Sequence, residues 1–142
     1  MKNILIINGP NLNMLGTREP EKYGELSLEE LKSYTSGRLD AKSASLEWWQ
    51  SNSESEIIER IQKLTNEKFD ALVINPAAYS HTSIAILDAL KLLSIPIIEV
   101  HLTNTHSRES FRHSMLTAQA ASIIMGGLGK DAYYFAVLSQ LN

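Results

Sequence analysis

The 142-residue sequence contains no cysteine. That excludes a disulfide framework, a thiol nucleophile and a thiolate metal site, and it fits a reducing, cytoplasmic setting. An excess of positive charge is also missing. Lys and Arg number 13 against 16 Asp and Glu, a net charge of −3. There is thus no basic footprint for nucleic acid, and an anionic substrate must find its cations in a local cluster. No apolar run is long enough to span a membrane. The opening run, Met1 to Ile7, is also too short for the core of a signal peptide and breaks at the turn signal Asn8-Gly9-Pro10. Without internal repeats, low-complexity tracts or linker-like stretches, residues 1–142 read as a single domain. What remains is 44% hydrophobic and 20% charged, the make-up of a globular chain that buries a proper core.

Apolar runs alternate with amphipathic stretches along this chain. Lys2 to Ile7 reads as a first strand, Leu46 to Gln50 as a second, Ala71 to Asn75 as a third, Ile95 to Val100 as a fourth and Ser122 to Met125 as a fifth. Between them, Ser27-Leu28-Glu29-Glu30 is a capping box opening a helix to about Leu39, and Ser53-Glu54-Ser55-Glu56 is a second box. Ile57, Ile58, Ile61 and Leu64 then follow helical spacing. Thr82 to Leu93 is a nearly all-apolar helix, and a last helix is expected from about Asp131 to Leu141. Strands alternating with helices give parallel βαβ units. The predicted fold is α/β, a flavodoxin-like three-layer sandwich whose five-stranded parallel sheet has the order 2-1-3-4-5 with helices on both faces. In such sheets ligands bind beyond the carboxyl ends of the strands, near the switch between strands one and three.

Four segments at those strand ends carry candidate chemistry. The connection from Asn8 to Gly24 is long for a βα loop and contains Asn11, Asn13, Arg18 and Tyr23. It is either a binding lid or a set of turn residues with a surface Arg and Tyr. After strand three, Asn75 emerges at the switch point, and His81 and Asp88, seven apart, would share a helix face. Asp88 is either the solvent stripe of that helix or an acceptor in a pocket or subunit contact. Glu99 and His101 lie two apart on an extended segment and so point to one side. Such a pair can fix an imidazole tautomer; the alternatives are a surface pair or a metal site, for which His101 and His106 lack a third ligand. Arg108 and Arg112, four apart, would share the face of a short helix and suit a carboxylate, or be plain solvated surface. Gly126-Gly127-Leu128-Gly129 lacks the Lys-Ser/Thr of a phosphate loop and reads as a helix-opening turn.

Three of these segments, in this order, resemble the signatures of one family, the type II 3-dehydroquinate dehydratases. They are Asn8-Gly9-Pro10-Asn11-Leu12-Asn13 with Arg18-Glu19-Pro20 and Tyr23-Gly24; Asn75-Pro76 with Ala78-Tyr79, His81-Thr82-Ser83 and Asp88-Ala89-Leu90; and Glu99-Val100-His101-Leu102 with Asn104 and Phe111-Arg112-His113. The resemblance runs from residue 3 to about residue 140. It implies anti elimination of water from 3-dehydroquinate through an enolate, giving 3-dehydroshikimate with no cofactor and no metal. The step belongs to the shikimate pathway of aromatic amino acid biosynthesis, and quinate breakdown uses it as well. Residues 8–24 would be the active-site lid. Tyr23 would be the base at C2, with Arg18 favouring its phenolate, and His101 the acid at the C1 hydroxyl, supported by Glu99. Asn11 would help hold a water on the enolate oxygen. Asn75, His81, Asp88, the backbone at Leu102 and Thr103, and Arg112 would bind substrate. The resemblance also implies a homo-oligomer, a dodecamer built from trimers, in which Asp88 reaches a neighbouring subunit's site.

Three positions depart from the family pattern. Ala77 stands where the family usually has Gly, which implies either that φ stays negative there or that strain is tolerated. Thr103 replaces the commoner Ser, and Ser114-Met115 replaces a usual His-Ser pair. None touches Tyr23, Arg18 or His101. The rival readings are a flavodoxin-like nucleotide or redox module, since fold does not fix function, and a non-catalytic relative that acts as a binding or scaffold protein.

Overall fold

The computed structural model describes residues 1–17, 21 and 26–141. Five parallel strands, β1 (Lys2–Asn8), β2 (Ala44–Gln50), β3 (Ala71–Asn75), β4 (Ile97–His101) and β5 (Ile123–Gly126), form one sheet of order β2-β1-β3-β4-β5. This is the predicted order. Among the described residues the α-helices of more than one turn are α1 (Leu28–Arg38), α2 (Glu54–Leu64), α3 (Ile84–Leu90) and α4 (Ala132–Leu138). No helix among the described residues is long and apolar enough to cross a membrane.

The period of two in a strand sends neighbouring side chains to opposite faces, and the continuous apolar runs of β1, β3 and β4 therefore serve two cores. Ile4, Ile6, Val73, Ile98 and Val100 face α1 and α4, meeting Leu28, Leu31, Ala132, Ala136 and Val137. Leu5, Ile7, Leu72, Ile74 and Ile97 face α2 and α3, meeting Ile57, Ile61, Leu64, Ile86 and Leu90. Truncating any one of these large side chains to Ala costs roughly 2–5 kcal/mol, a sizeable part of a domain's stability of about 5–15 kcal/mol. The edge strands β2 and β5 are covered less well, and their burial alternates with exposure.

Several local expectations need correction. The first capping box is complete, Ser27 Oγ accepting from Glu30 N and Glu30 accepting from Ser27 N, both at 3.1 Å. The second is only half formed. Ser53 Oγ accepts from Glu56 N at 3.3 Å, but the Glu56 carboxylate takes the hydroxyl of Ser51 at 2.6 Å, and Ser51 Oγ takes the Ser53 N–H. The helix predicted from Thr82 to Leu93 is shorter. A 3-10 turn, Ala77–His81, comes first, Ser83 is extended, and its hydroxyl caps Ile86 N at 2.9 Å to start α3. His81 and Asp88 therefore do not share a helix face, because a cap lies between them. Strand four starts two residues later than predicted, and β2 two residues earlier. Pro96 precedes β4 and supplies only its carbonyl, to Leu72 N at 3.0 Å.

Ala77 resolves one alternative. Its φ is 52°, the left-handed region, so this chain accepts strain where the family usually has Gly. Asn75 Oδ1 holds the conformation by accepting Ala77 N–H at 3.1 Å. A left-handed non-glycine costs roughly 1–2 kcal/mol, and glycine's freedom in the unfolded chain returns about 0.4–1 kcal/mol of that. Ala77→Gly should thus stabilise by about 0.5–1 kcal/mol, raising the melting temperature by roughly 2–5 °C. A lower melting temperature would mean that the methyl, which packs against the α1–α4 core, matters more than the strain.

Candidate functional site

The ends of β1, β3 and β4 stop together. Asn8 pairs in register with Asn75, and Gly9 N donates to Asn75 O at 2.8 Å. The approach is so close that a Cβ at Gly9 would lie 2.5 Å from the Pro76 carbonyl oxygen. Beyond these ends is a cleft whose floor and walls carry Asn11, Asn75, Ala77, His81, His101, Leu102, Thr103, Arg108 and Arg112. Its position at the switch point is the one the strand order requires.

At the floor, His101 Nε2 meets Glu99 Oε2 at 2.7 Å. Glu99 is fully buried and His101 nearly so. A carboxylate only accepts, so Nε2 carries the hydrogen and Nδ1 is the ring nitrogen left for other work. Two further donors reach the same carboxylate: Ser80 Oγ at 2.7 Å and Thr117 Oγ1 at 2.5 Å. The Glu99–His101 pair is therefore neither a surface pair nor an open one.

His81 stacks against His101, ring centroids 6.0 Å apart. Its Nδ1 lies 2.8 Å from the Ser114 carbonyl, an acceptor, so Nδ1 donates and neutral His81 keeps a lone pair on Nε2. Partial burial pushes its pKa down; the Ser114 carbonyl opposes this, and His101 and Arg112 add to it. The sign for stability follows. Unfolded His81 takes up its proton at about pH 6.5 and the folded form only lower, so any contribution is intact above that pH and is lost as pH falls below it. In an NMR titration the His81 ring should reach its midpoint below 6.5, as the Nδ1–H tautomer. A midpoint above 6.5 would mean that the neighbouring carboxylate outweighs burial.

The two arginines converge without the helix that their spacing suggested. Arg108 closes one 3-10 turn, Thr105–Ser107, and Arg112 ends the next, Ser110–Arg112. Glu109 gathers them, with its Oε1 3.2 Å from Arg112 Nε and 3.6 Å from Arg108 Nε. Arg108 also reaches Thr103 Oγ1 at 3.5 Å. Opposite, Asn75 is fixed on both sides. Its Oδ1 takes Ala77 N–H, and its Nδ2 donates to Tyr133 Oη at 3.2 Å. The Tyr133 hydroxyl in turn donates to Asn8 Oδ1. Burial pushes the Tyr133 pKa far up, so the phenol stays protonated and holds both amides in place. One N–H of Asn75 remains for a ligand.

Of the residues named from sequence, Asn11, Asn75, His81, His101, Leu102, Thr103 and Arg112 line the cleft, and Glu99 stands directly behind His101. Asp88 is exposed on α3 and is not among the lining residues. Arg18 and Tyr23 lie outside the described residues, as does much of the 8–24 loop. Sequence reasoning missed Asn8, Ser80, Thr117 and Tyr133. Ser80 had a signal, its place beside His81. Tyr133 sits in the apolar run Ala132-Tyr133-Tyr134-Phe135-Ala136 and looks like ordinary core, and nothing in the sequence ties Thr117 to Glu99.

Comparison with known proteins agrees with this arrangement. The family described as Dehydroquinase class II matches residues 2–141. A 3-dehydroquinate dehydratase from Enterobacter sp. (strain 638) is 50% identical over 95% of this chain and 89% of its own. Catabolic 3-dehydroquinase 1 from Fusarium vanettenii is 50% identical over 95% of this chain and 93% of its own. The crystal structure of the type II dehydroquinase from Butyrivibrio crossotus DSM 2876 superposes with a TM-score of 0.95 at 41% identity, covering 99% of this chain and 98% of that one. On sequence, fold and the placement of the cleft, this chain belongs to the class II dehydroquinase family.

Proposed function

We propose that the chain is a hydro-lyase that dehydrates 3-dehydroquinate to 3-dehydroshikimate by anti elimination, the shikimate-pathway step. The observation that carries this reading is the buried Glu99–His101 pair at the cleft floor, within a chain matched to the family over residues 2–141. Tyr23 takes the C2 proton, with Arg18 stabilising its phenolate, and the electron pair moves onto the C3 ketone oxygen as an enolate. Asn11 helps hold a water against that oxygen. As the enolate collapses, the C1–O bond breaks, C1 and C2 become doubly bonded, and His101 Nδ1–H protonates the departing hydroxyl to water. Glu99 steadies the ring and balances its charge when it carries both protons. The substrate's own ketone acidifies the C2 proton, so the reaction needs no metal or cofactor to supply an electron sink. Arg112 suits the substrate carboxylate. His81 Nε2, the remaining Asn75 N–H and the backbone of Leu102 and Thr103 suit its hydroxyls. Adding 3-dehydroquinate should give the ultraviolet absorbance of a conjugated enone, before and after exhaustive chelation. A flat trace, or one abolished by the chelator, would overturn the reading. The flavodoxin-like redox or nucleotide reading is not favoured, since the matched relatives are dehydroquinases over nearly their full length.

The assembly belongs to the same proposal. Asp88 is exposed and stands apart from its own cleft, as a residue that completes a neighbour's site would. Exposed Ile84 shares its helix. A homo-oligomer built from trimers, and dodecameric overall, fits both. Light scattering should find the active protein at least trimeric. A fully active monomer at assay concentration would return Asp88 to the solvent stripe of α3.

A further inference from the structure

Ser80, Thr117 and Glu99 are all out of contact with solvent, and they come from three separate places. Ser80 is on the turn after β3, Thr117 begins the 3-10 turn Thr117–Ala120, and Glu99 is on β4. The backbone clamps the two turns together through Leu116 N donating to Ser80 O at 2.7 Å. Ser80 Oγ donates to Glu99 Oε2 and Thr117 Oγ1 to Oε1, with the two hydroxyl oxygens 3.2 Å apart. One carboxylate oxygen is thus shared by Ser80 and His101, and the other belongs to Thr117. A buried carboxylate is tolerated only when donors of this kind replace its water. An apolar side chain in place of either hydroxyl would leave Glu99 with one donor fewer and no solvent to make up the loss.

From this geometry we infer that Ser80 and Thr117 are positioning residues for the acid step: they hold Glu99 as a pure acceptor, which keeps the proton on His101 Nε2 and orients its Nδ1 toward the leaving hydroxyl. The inference rests on His101 being the acid. Removing the hydroxyls costs most when Glu99 stands as a lone anion beside neutral His101 and least when the proton sits on Glu99 itself. The pair should then keep its shared proton to higher pH while that proton leans away from His101 and toward Glu99. The other charged and titratable groups around the pair are His81, stacked on His101, and the cleft arginines Arg108 and Arg112 with Glu109 between them. α4 contributes Tyr133, committed to Asn8 and Asn75, while β3, β5 and the Thr117–Ala120 turn contribute none. All of these are unchanged in the variants below, so a shift reads the hydroxyls.

The test uses Ser80→Ala, Thr117→Val and the pair, with Thr117→Ser as the conservative rescue. In each single variant kcat should drop and the pH above which it falls further should move toward alkali, in the pair by about one unit, the size expected for hydrogen bonds to a buried charge. KM for 3-dehydroquinate should stay within about twofold, since neither residue lines the cleft, and Thr117→Ser should restore the wild-type profile. Variants that melt lower but keep the wild-type profile, or that change KM and not kcat, would overturn the inference. A second arm needs no variant and no turnover. Nitrogen-15 shifts of His101 in the wild-type protein should show Nε2 protonated in the neutral ring; a bare Nε2 would mean that Glu99 is the donor, and the inference fails whatever the variants do. If the shifts agree while His101→Ala keeps full activity, it is the acid assignment that fails, and the hydrogen-bond network stands.

Discussion

Replacing Tyr23 by Phe should lower turnover by about 10²–10⁴-fold, the span that a positioned general base contributes, while binding of a substrate analogue barely changes. The substitution deletes one hydroxyl. Every group proposed to hold the substrate is elsewhere: His81 on the Ala77–His81 turn, Asn75 at the end of β3, Arg112 on the second of two short turns. KM should therefore stay close to wild type and the whole loss should fall on kcat, the pattern of an interaction made only in the transition state. Arg18 supplies the second half of the test. A free tyrosine has a pKa of about 10 and is a poor base at neutral pH unless a cation favours its phenolate. Arg18→Ala should leave residual activity that climbs with pH, its ascending limb moved toward 10. Arg18→Lys should rescue in part, restoring charge without the planar fork. Near-normal turnover in Tyr23→Phe would remove Tyr23 from the mechanism.

His101→Ala should cost a similar factor in kcat, because the departing hydroxyl then leaves without a proton donor. Here the fold bears some cost too. The variant opens a hole at the cleft floor and takes one of three donors from a fully buried carboxylate, a loss of roughly 1–3 kcal/mol. Circular dichroism should still show the native α/β signature. Imidazole in solution, small enough to enter the vacated space, should recover part of the rate. Glu99→Gln should be milder in rate, about tenfold, yet more disturbed in structure. Its amide nitrogen would face Ser80 or Thr117, which already donate. Wild-type turnover in His101→Ala would place the acid elsewhere.

Long-range order was legible where apolar periodicity sets it. The runs at residues 4–7, 71–74 and 97–98 are apolar because each lies in the middle of a parallel sheet with helices on both sides. That single cause yields strand order and cleft position together. Local competition was much less legible. Ser53 and Glu56 have the spacing of a capping box, but Ser51 lies nearer to the glutamate and takes it. Thr82 and Ser83 look like the interior of an apolar helix until the Ser83 hydroxyl is seen capping it. The spacing of Arg108 and Arg112 suggested one helix, whereas two tight turns and a bridging Glu109 bring them together. Glu99 and His101 could be paired from the period of a strand, but the hydroxyls behind them could not, because Thr117 is 18 residues from Glu99 in the chain.

Gly9 is a place where this protein should tolerate no inherited change. The obstacle to a side chain there is the Pro76 carbonyl, main chain that no rotamer change can move aside. Even Ala would have to pry β1 from β3 where Asn8 and Asn75 lie side by side, and both amides are held through one Tyr133 hydroxyl. Gly37 in α1 is the opposite case, with nothing within 4 Å of an added Cβ and a gain of roughly 0.5–1 kcal/mol expected from Ala in a helix. In a saturation library selected for growth without aromatic amino acids, position 37 should accept most residues and favour Ala. Position 9 should be monomorphic, silent codons aside.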